Sequence, residues 1–120
     1  MRTGLQISAS GILNAGRRQR VTANNIANLA TPGYRAARAH SAPTPNGGVH
    51  VTAITRSEAP GVAAPAPPAS HPDAGAPRGS NVDLATEQVG GLLNVRTAEA
   101  NANAFRAQDE MLGELLDLSS

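Results

Sequence analysis

Proline is spread so unevenly along this chain that it decides where helices can form. Eight of the nine prolines fall within residues 38–80, including the run Ala63-Ala64-Pro65-Ala66-Pro67-Pro68. Each one removes a backbone donor and clashes with the preceding helical turn. Residues 38–80 therefore read as extended, polyproline-like chain, and any long helix lies to one side of them. Within this middle segment one strand is expected over Val49 to Ile54, after a turn at Pro45-Asn46-Gly47-Gly48. A lone strand must pair, either with a second short segment around Gly61-Val62 or with a neighbouring subunit.

Both flanks carry seven-residue periodicity. On the N-terminal side, roughly residues 4–30, Leu5, Ile12, Gln19 and Ile26 recur every seven positions, with Ala9, Gly16, Ala23 and Ala30 four later. On the C-terminal side Leu84, Gly91, Ala98, Phe105 and Leu112 form one row, and Val95, Ala102, Asp109 and Leu116 its companion, with Asp109 a defect. A seven-residue seam keeps one helix in register against another over several turns, and small residues let the two approach. The N-terminal segment is either one helix of a small bundle or a coiled-coil-like partner in a larger assembly. Asp83 or Asn81 can cap the second helix, and Asp83 and Glu87 place negative charge near its positive end. Gly90-Gly91 weakens it, so a bend is expected there. The predicted fold is mainly α: long terminal helices packing as a coiled-coil-like pair around a short proline-rich, partly β or irregular middle. Three parts follow: residues 1–37, 38–80 and 81–120.

The stretch ANNIANLATPGYRA, residues 23–36, sits where the first helix should end. Asparagine is a poor helix-interior residue because its amide competes for backbone groups. Asn24 and Asn28 share a face and Asn25 points away. Such residues make sense where partners hold the helix end, and Asn94, Asn101 and Asn103 offer amides on the second helix; otherwise they merely fray it. Thr31-Pro32-Gly33-Tyr34 reads as a turn in which Pro32 presets one residue and Gly33 supplies positive φ.

Few reactive groups converge. His40, His50 and His71 lie in the middle segment without ligand spacing, and no phosphate loop, HExxH motif or nucleophile elbow is present. No catalytic, cofactor or metal site is expected. Cysteine is absent, which excludes a disulfide scaffold and a Cys-based zinc site. The N-terminus shows no apolar core of a cleaved signal, and no segment is long enough to cross a membrane, so no membrane insertion is expected. Leu, Ile, Val and Phe together number 22 of 120 residues, a thin supply for a self-sufficient core.

The net charge of +1 hides an asymmetry. Residues 1–40 hold six arginines and no acid; residues 81–120 hold seven acids against Arg96 and Arg106. The ends should attract, within a molecule or between copies. Arg17, Arg18 and Arg20 could engage phosphates, but the chain has no lysine and no nearby stacking aromatic, and its acidic helix would repel the same backbone. Ion pairing with acidic helices is preferred, and nucleic acid is not expected as a partner.

SASGILNAGRRQRVTANNIANLATPGYRA resembles the N-terminal signature of bacterial flagellar rod and hook axial proteins, a helix ending in an Asn-rich stretch and a TPGY turn. SNVDLATEQV and DEMLGELLDL are similar to the matching C-terminal signature. Ser70-His71-Pro72-Asp73-Ala74 resembles a segment of the proximal-rod subunit of the C type. The chain departs from the family at Ala30, where a polar residue is usual, and at Ala98, where an aromatic is usual. The resemblance implies a structural subunit of the basal-body rod, exported by the flagellar type III apparatus without a cleaved signal into a periplasm-spanning rod. There it would join copies of itself and other rod and hook-basal-body proteins and transmit torque from motor to hook. The assembly contacts it implies involve Leu5, Ile12, Gln19, Asn24, Asn25, Ile26, Asn28, Pro32, Gly33, Tyr34, Asn101, Phe105, Leu112 and Leu116. The other reading is a helical adaptor that binds an acidic partner through Arg17, Arg18 and Arg20.

Overall fold

The computed structural model describes residues 3–61 and 79–120. The Ala63–Pro68 run, His71 and the Ser70–Ala74 segment lie outside the described residues. In order, the elements are α1 (Gly4–Ala27), β1 (Ala37–Pro43), β2 (Val49–Arg56) and α2 (Leu84–Ser119). The chain is mainly helical: its two terminal helices pack together, and a two-stranded antiparallel sheet lies between them in sequence.

Each helix starts at a polar cap. Thr3 accepts from the Gln6 backbone N–H, and the Gln6 side chain accepts from the Thr3 N–H, a reciprocal capping box. For α2 the cap is Asp83, whose carboxylate accepts from Ala85 N–H and the Thr86 hydroxyl. α2 spans 36 residues and stays helical through Gly90-Gly91. At 1.5 Å per residue it is about 54 Å long.

The strand expected over Val49 to Ile54 is present as β2, but its partner is neither Gly61-Val62 nor another subunit. It pairs with Ala37–Pro43, from Ala37 opposite Arg56 to Pro43 opposite Val49, with a bulge between His40 and Ser41. The sequence ARAHSAP of β1 has no β-branched residue and ends in proline, so propensity gives no sign of it. In a two-stranded sheet both strands are edges, which is where proline is tolerated. The hairpin closes through Thr44–Gly48, with Gly47 at φ 94° and Gly48 at φ 96°.

The hairpin lies along α1. Val49 N–H donates to the Ser10 hydroxyl (3.1 Å) and the Ser41 hydroxyl to Asn14 Oδ1 (2.9 Å), while a Cβ on Gly47 would meet Ile7. α2 lies antiparallel to α1, with Glu87 beside Asn25 and Gln108 beside Ser8.

The helix–helix seam corrects the companion rows. Leu5, Ile12 and Gln19 are half-buried, but the row that buries beside them is Ser8, Ala15 and Thr22, three positions later rather than four. Ala23 and Ala30 are exposed, and a Cβ on Gly16 would meet nothing. On α2 the inward rows are Gly91-Ala98 and, three later, Glu87, Asn94, Asn101 and Gln108; Val95, Asp109 and Leu116 point outward. Asp109 is no defect, because it is not in the seam. Among the described residues the buried hydrophobic side chains are only Ala15, Ala36, Ala37 and Val82. The large apolar residues of α2, from Val89 to Leu118, are exposed.

Candidate functional site

The asparagines find their roles at the end of α1. Asn25, 1 % exposed, uses its whole amide. Its Nδ2 donates to Ala37 O (2.8 Å) and to Glu87 Oε1 (3.0 Å). Its Oδ1 accepts from Ala37 N–H (2.9 Å) and from the Tyr34 hydroxyl (3.0 Å). By serving both backbone groups of Ala37, the side chain stands in for a neighbouring strand at the first residue of β1. Four bonds exhaust what a primary amide bonds readily, and a buried polar group so satisfied carries no desolvation deficit.

Asn28 does different work. It caps α1, its Nδ2 donates to Asn24 O (2.8 Å) and Asn24 Oδ1 (3.2 Å), and its Oδ1 accepts from the Thr31 hydroxyl (3.1 Å). These bonds close the helix end instead of fraying it, although α1 stops at Ala27, short of residue 30. Tyr34 N–H then donates to Thr31 O (3.2 Å) across Pro32 and Gly33, with Gly33 at φ 74°. That is the turn expected from Thr31-Pro32-Gly33-Tyr34.

A second asparagine completes the corner. Asn81 Oδ1 accepts from Ala36 N–H, its Nδ2 donates to Ser57 O (3.2 Å) and Ala59 O (2.9 Å), and its own N–H donates to Tyr34 O (3.2 Å). The approach to α2 is thereby tied to the segments just before β1 and just after β2. Arg56 lies over the Tyr34 ring, 5.4 Å from its centroid, and donates to Arg35 O (3.0 Å). Asn81 was expected only as a possible cap, a task Asp83 performs.

From this corner a ladder of polar side chains runs along α2 in steps of seven. Glu87 meets Asn25; Asn94 donates to Gln19 Oε1 (3.2 Å); the Asn101 amide lies against Gly11; Gln108 lies against Gly4 and accepts from the Ser8 hydroxyl (3.3 Å). A Cβ on Gly11 would stand 2.5 to 2.7 Å from the Asn101 amide, so the missing side chain makes room for that rung. Gly91 on the other helix faces Thr22 and Gln19, where a Cβ would stand at ordinary contact distance, 3.5 to 3.6 Å.

The structure thus gathers Gln19, Asn25, Tyr34 and Asn101 at the corner or along the ladder. Leu5 and Ile12 flank the seam half-buried; Asn24, Pro32 and Gly33 are exposed around the turn. Ile26, Phe105, Leu112 and Leu116 are exposed on outer faces, Leu116 at 69 %. Glu87, Asn81, Asn94 and Gln108 were not singled out as site residues. The polar heptad 87-94-101-108 was the signal that could have found three of them. The expected attraction between basic and acidic ends is not seen as intrachain pairing: among the described residues the ion pair is Arg96–Glu99, within α2 and exposed.

No group of His, Asp or Glu able to hold a metal occurs among the described residues, and no described helix is long and apolar enough to cross a membrane. Residues 5–35 match the family model described as flagella basal body rod protein. Over this segment the chain is similar to the flagellar basal-body rod family. The match covers α1, the asparagines, the TPGY turn and the approach to β1. No curated protein matches the chain.

Proposed function

We propose that this chain is a self-assembling subunit of the rod, joining neighbours through its terminal helices and passing torque from motor to hook. One observation carries the reading: the helix pair has polar and small side chains inside and large apolar ones outside. Such a pair is finished only when other helices cover it, because large apolar side chains left exposed along a helix mark an interaction site. Residues 1–37 and 81–120 would then form the rod wall, with 38–80 between them. The resemblance of Ser70–Ala74 to the C-type subunit supports a position in the proximal rod. Its partners would be other copies, other rod and hook-basal-body proteins and, in transit, the type III export apparatus, with a destination in the periplasm-spanning rod. The outward Leu112, Leu116, Phe105 and Ile26 and the half-buried Leu5 and Ile12 would meet those partners.

The test is deletion of the gene with complementation by a tagged copy. Deletion abolishes swimming, and the tagged chain copurifies with hook–basal bodies. Swimming in the deletion strain, or basal bodies lacking the chain, would overturn the proposal.

A further inference from the structure

Two surfaces of the chain complement each other and cannot meet within one molecule. Between α1 and the hairpin runs a groove of about 270 Å³ lined by Arg17, Arg20, Val21, Ala39, Val51 and Ile54. Its floor is apolar and its rim is cationic. Both arginines are exposed and, among the described residues, in no ion pair. A ligand for such a groove is an amphipathic helix with acids beside its apolar stripe.

The chain ends in one. Residues 109–119 of α2 are exposed throughout and extend beyond Gln108, the last rung against α1. On this tip Met111, Leu115 and Leu118 lie along one stripe, and Glu110, Glu114 and Asp117 along the adjacent one, both at the i, i+4, i+7 spacing. The tip cannot fold back into its own groove. Gln108 sits against Gly4, 13 residues and about 20 Å along α1 from Arg17, and α2 continues in the opposite direction. Leu116 is therefore roughly 30 Å from the groove along the helix axis.

We propose that the groove of one copy receives the α2 tip of a second, with Arg17 and Arg20 facing Glu110 and Glu114 and the leucines on the apolar floor. Groove and tip are different patches, so the contact is heterologous. Repeated, it propagates as an open head-to-tail series instead of closing into a dimer. The proposal deepens the assembly reading above and rests on it only for the claim that copies of this chain meet.

Charge reversal on each side tests it, read by sedimentation of the purified full-length chain with circular dichroism as the check on folding. Wild type sediments faster as concentration rises, and added salt weakens that association because exposed charges are screened. Arg17→Glu/Arg20→Glu and Glu110→Arg/Glu114→Arg each remain monomeric with wild-type helicity. An equimolar mixture associates again, because each reversed groove now meets an opposite tip. A wild type that stays monomeric at every concentration and salt overturns the proposal, and the groove then belongs to a different acidic partner. Reversed variants that associate like wild type, or a mixture that is not rescued, overturn it too. In cells the two readings separate. If deletion abolishes swimming but Arg17→Glu/Arg20→Glu swims normally, the rod role stands and the groove contact falls; if the deletion strain swims, the rod role itself falls.

Discussion

The corner around Asn25 and the tip of α2 belong to one small chain and follow opposite rules. At the corner every buried side-chain polar atom is paired inside the molecule, and the buried apolar groups are alanines and one valine. At the tip the polar atoms are solvated and the apolar groups, Met111, Leu112, Leu115, Leu116 and Leu118, are bare. Alanine buries little area, so the corner is held by geometry more than by the hydrophobic effect, at about 25 cal/mol per Å² of apolar surface. The tip holds nothing until something covers it. The difference separates specification from affinity: one region decides what shape the chain takes, the other, under the proposed assembly, what it adheres to.

The comparison breaks most sharply at Asn25. Asn25→Leu leaves Ala37 N–H and C=O, the Tyr34 hydroxyl and the Glu87 carboxylate without a shared partner. At about 1–3 kcal/mol for each buried group left unsatisfied, the cost exceeds roughly 3 kcal/mol even if water reaches some of them. We expect the isolated variant to lose its dispersed amide NMR spectrum, while Asn24→Ala, at an exposed position, changes stability by less than about 1 kcal/mol. Equal spectra for Asn25→Leu and wild type would show that the corner does not specify the fold.

The tip should give the reverse result. Leu112→Asp with Leu116→Asp places charges on exposed positions, so circular dichroism of the isolated chain changes little, within about 0.5 kcal/mol. In cells the same pair puts two charges into a contact that should bury them, and swimming is lost. A variant that melts earlier than wild type but still swims would reverse the assignment of the two regions.

A variant in the turn sharpens the corner alone. A Cβ on Gly33 meets nothing, so Gly33→Val costs only the strain of a β-branched residue at φ 74°, about 1–3 kcal/mol in urea unfolding. Gly33→Asn recovers most of it, since asparagine tolerates that conformation. If both variants cost the same, crowding rather than backbone conformation governs the turn.

The sequence made both helices, the Gly33 turn and β2 legible, because proline placement and periodicity report backbone constraints directly. The seam was read one row away from its true place for a physical reason. Hydrophobic periodicity marks every surface that something covers, whichever molecule does so, and in this chain the intramolecular seam is the polar and small one. Ser8-Ala15-Thr22 and Glu87-Asn94-Asn101-Gln108 are as regular as the apolar rows, but regular polar rows resemble a solvated face. β1 was hidden because its strand conformation is imposed by the Asn25 amide and by pairing with β2, not by its own residues. The Asn25–Ala37 clamp joins positions 12 apart through a side chain, and no local pattern encodes that.

The ladder along α2 has a consequence for alignment. Its rungs repeat every seven residues with nearly interchangeable chemistry, Glu, Asn, Asn, Gln, so it works as a graduated scale without a marked origin. Slide α2 by one graduation and Asn94 stands where Glu87 stood, an amide still opposite polar or small neighbours. The origin is set elsewhere, by Asn81, which anchors the chain three residues before α2 begins to Ala36, next to the Ala37 backbone that Asn25 grips. An axial load on α2 is resisted along the shaft by rungs that would accept the next notch, and at one end by a lock that has no second notch to offer.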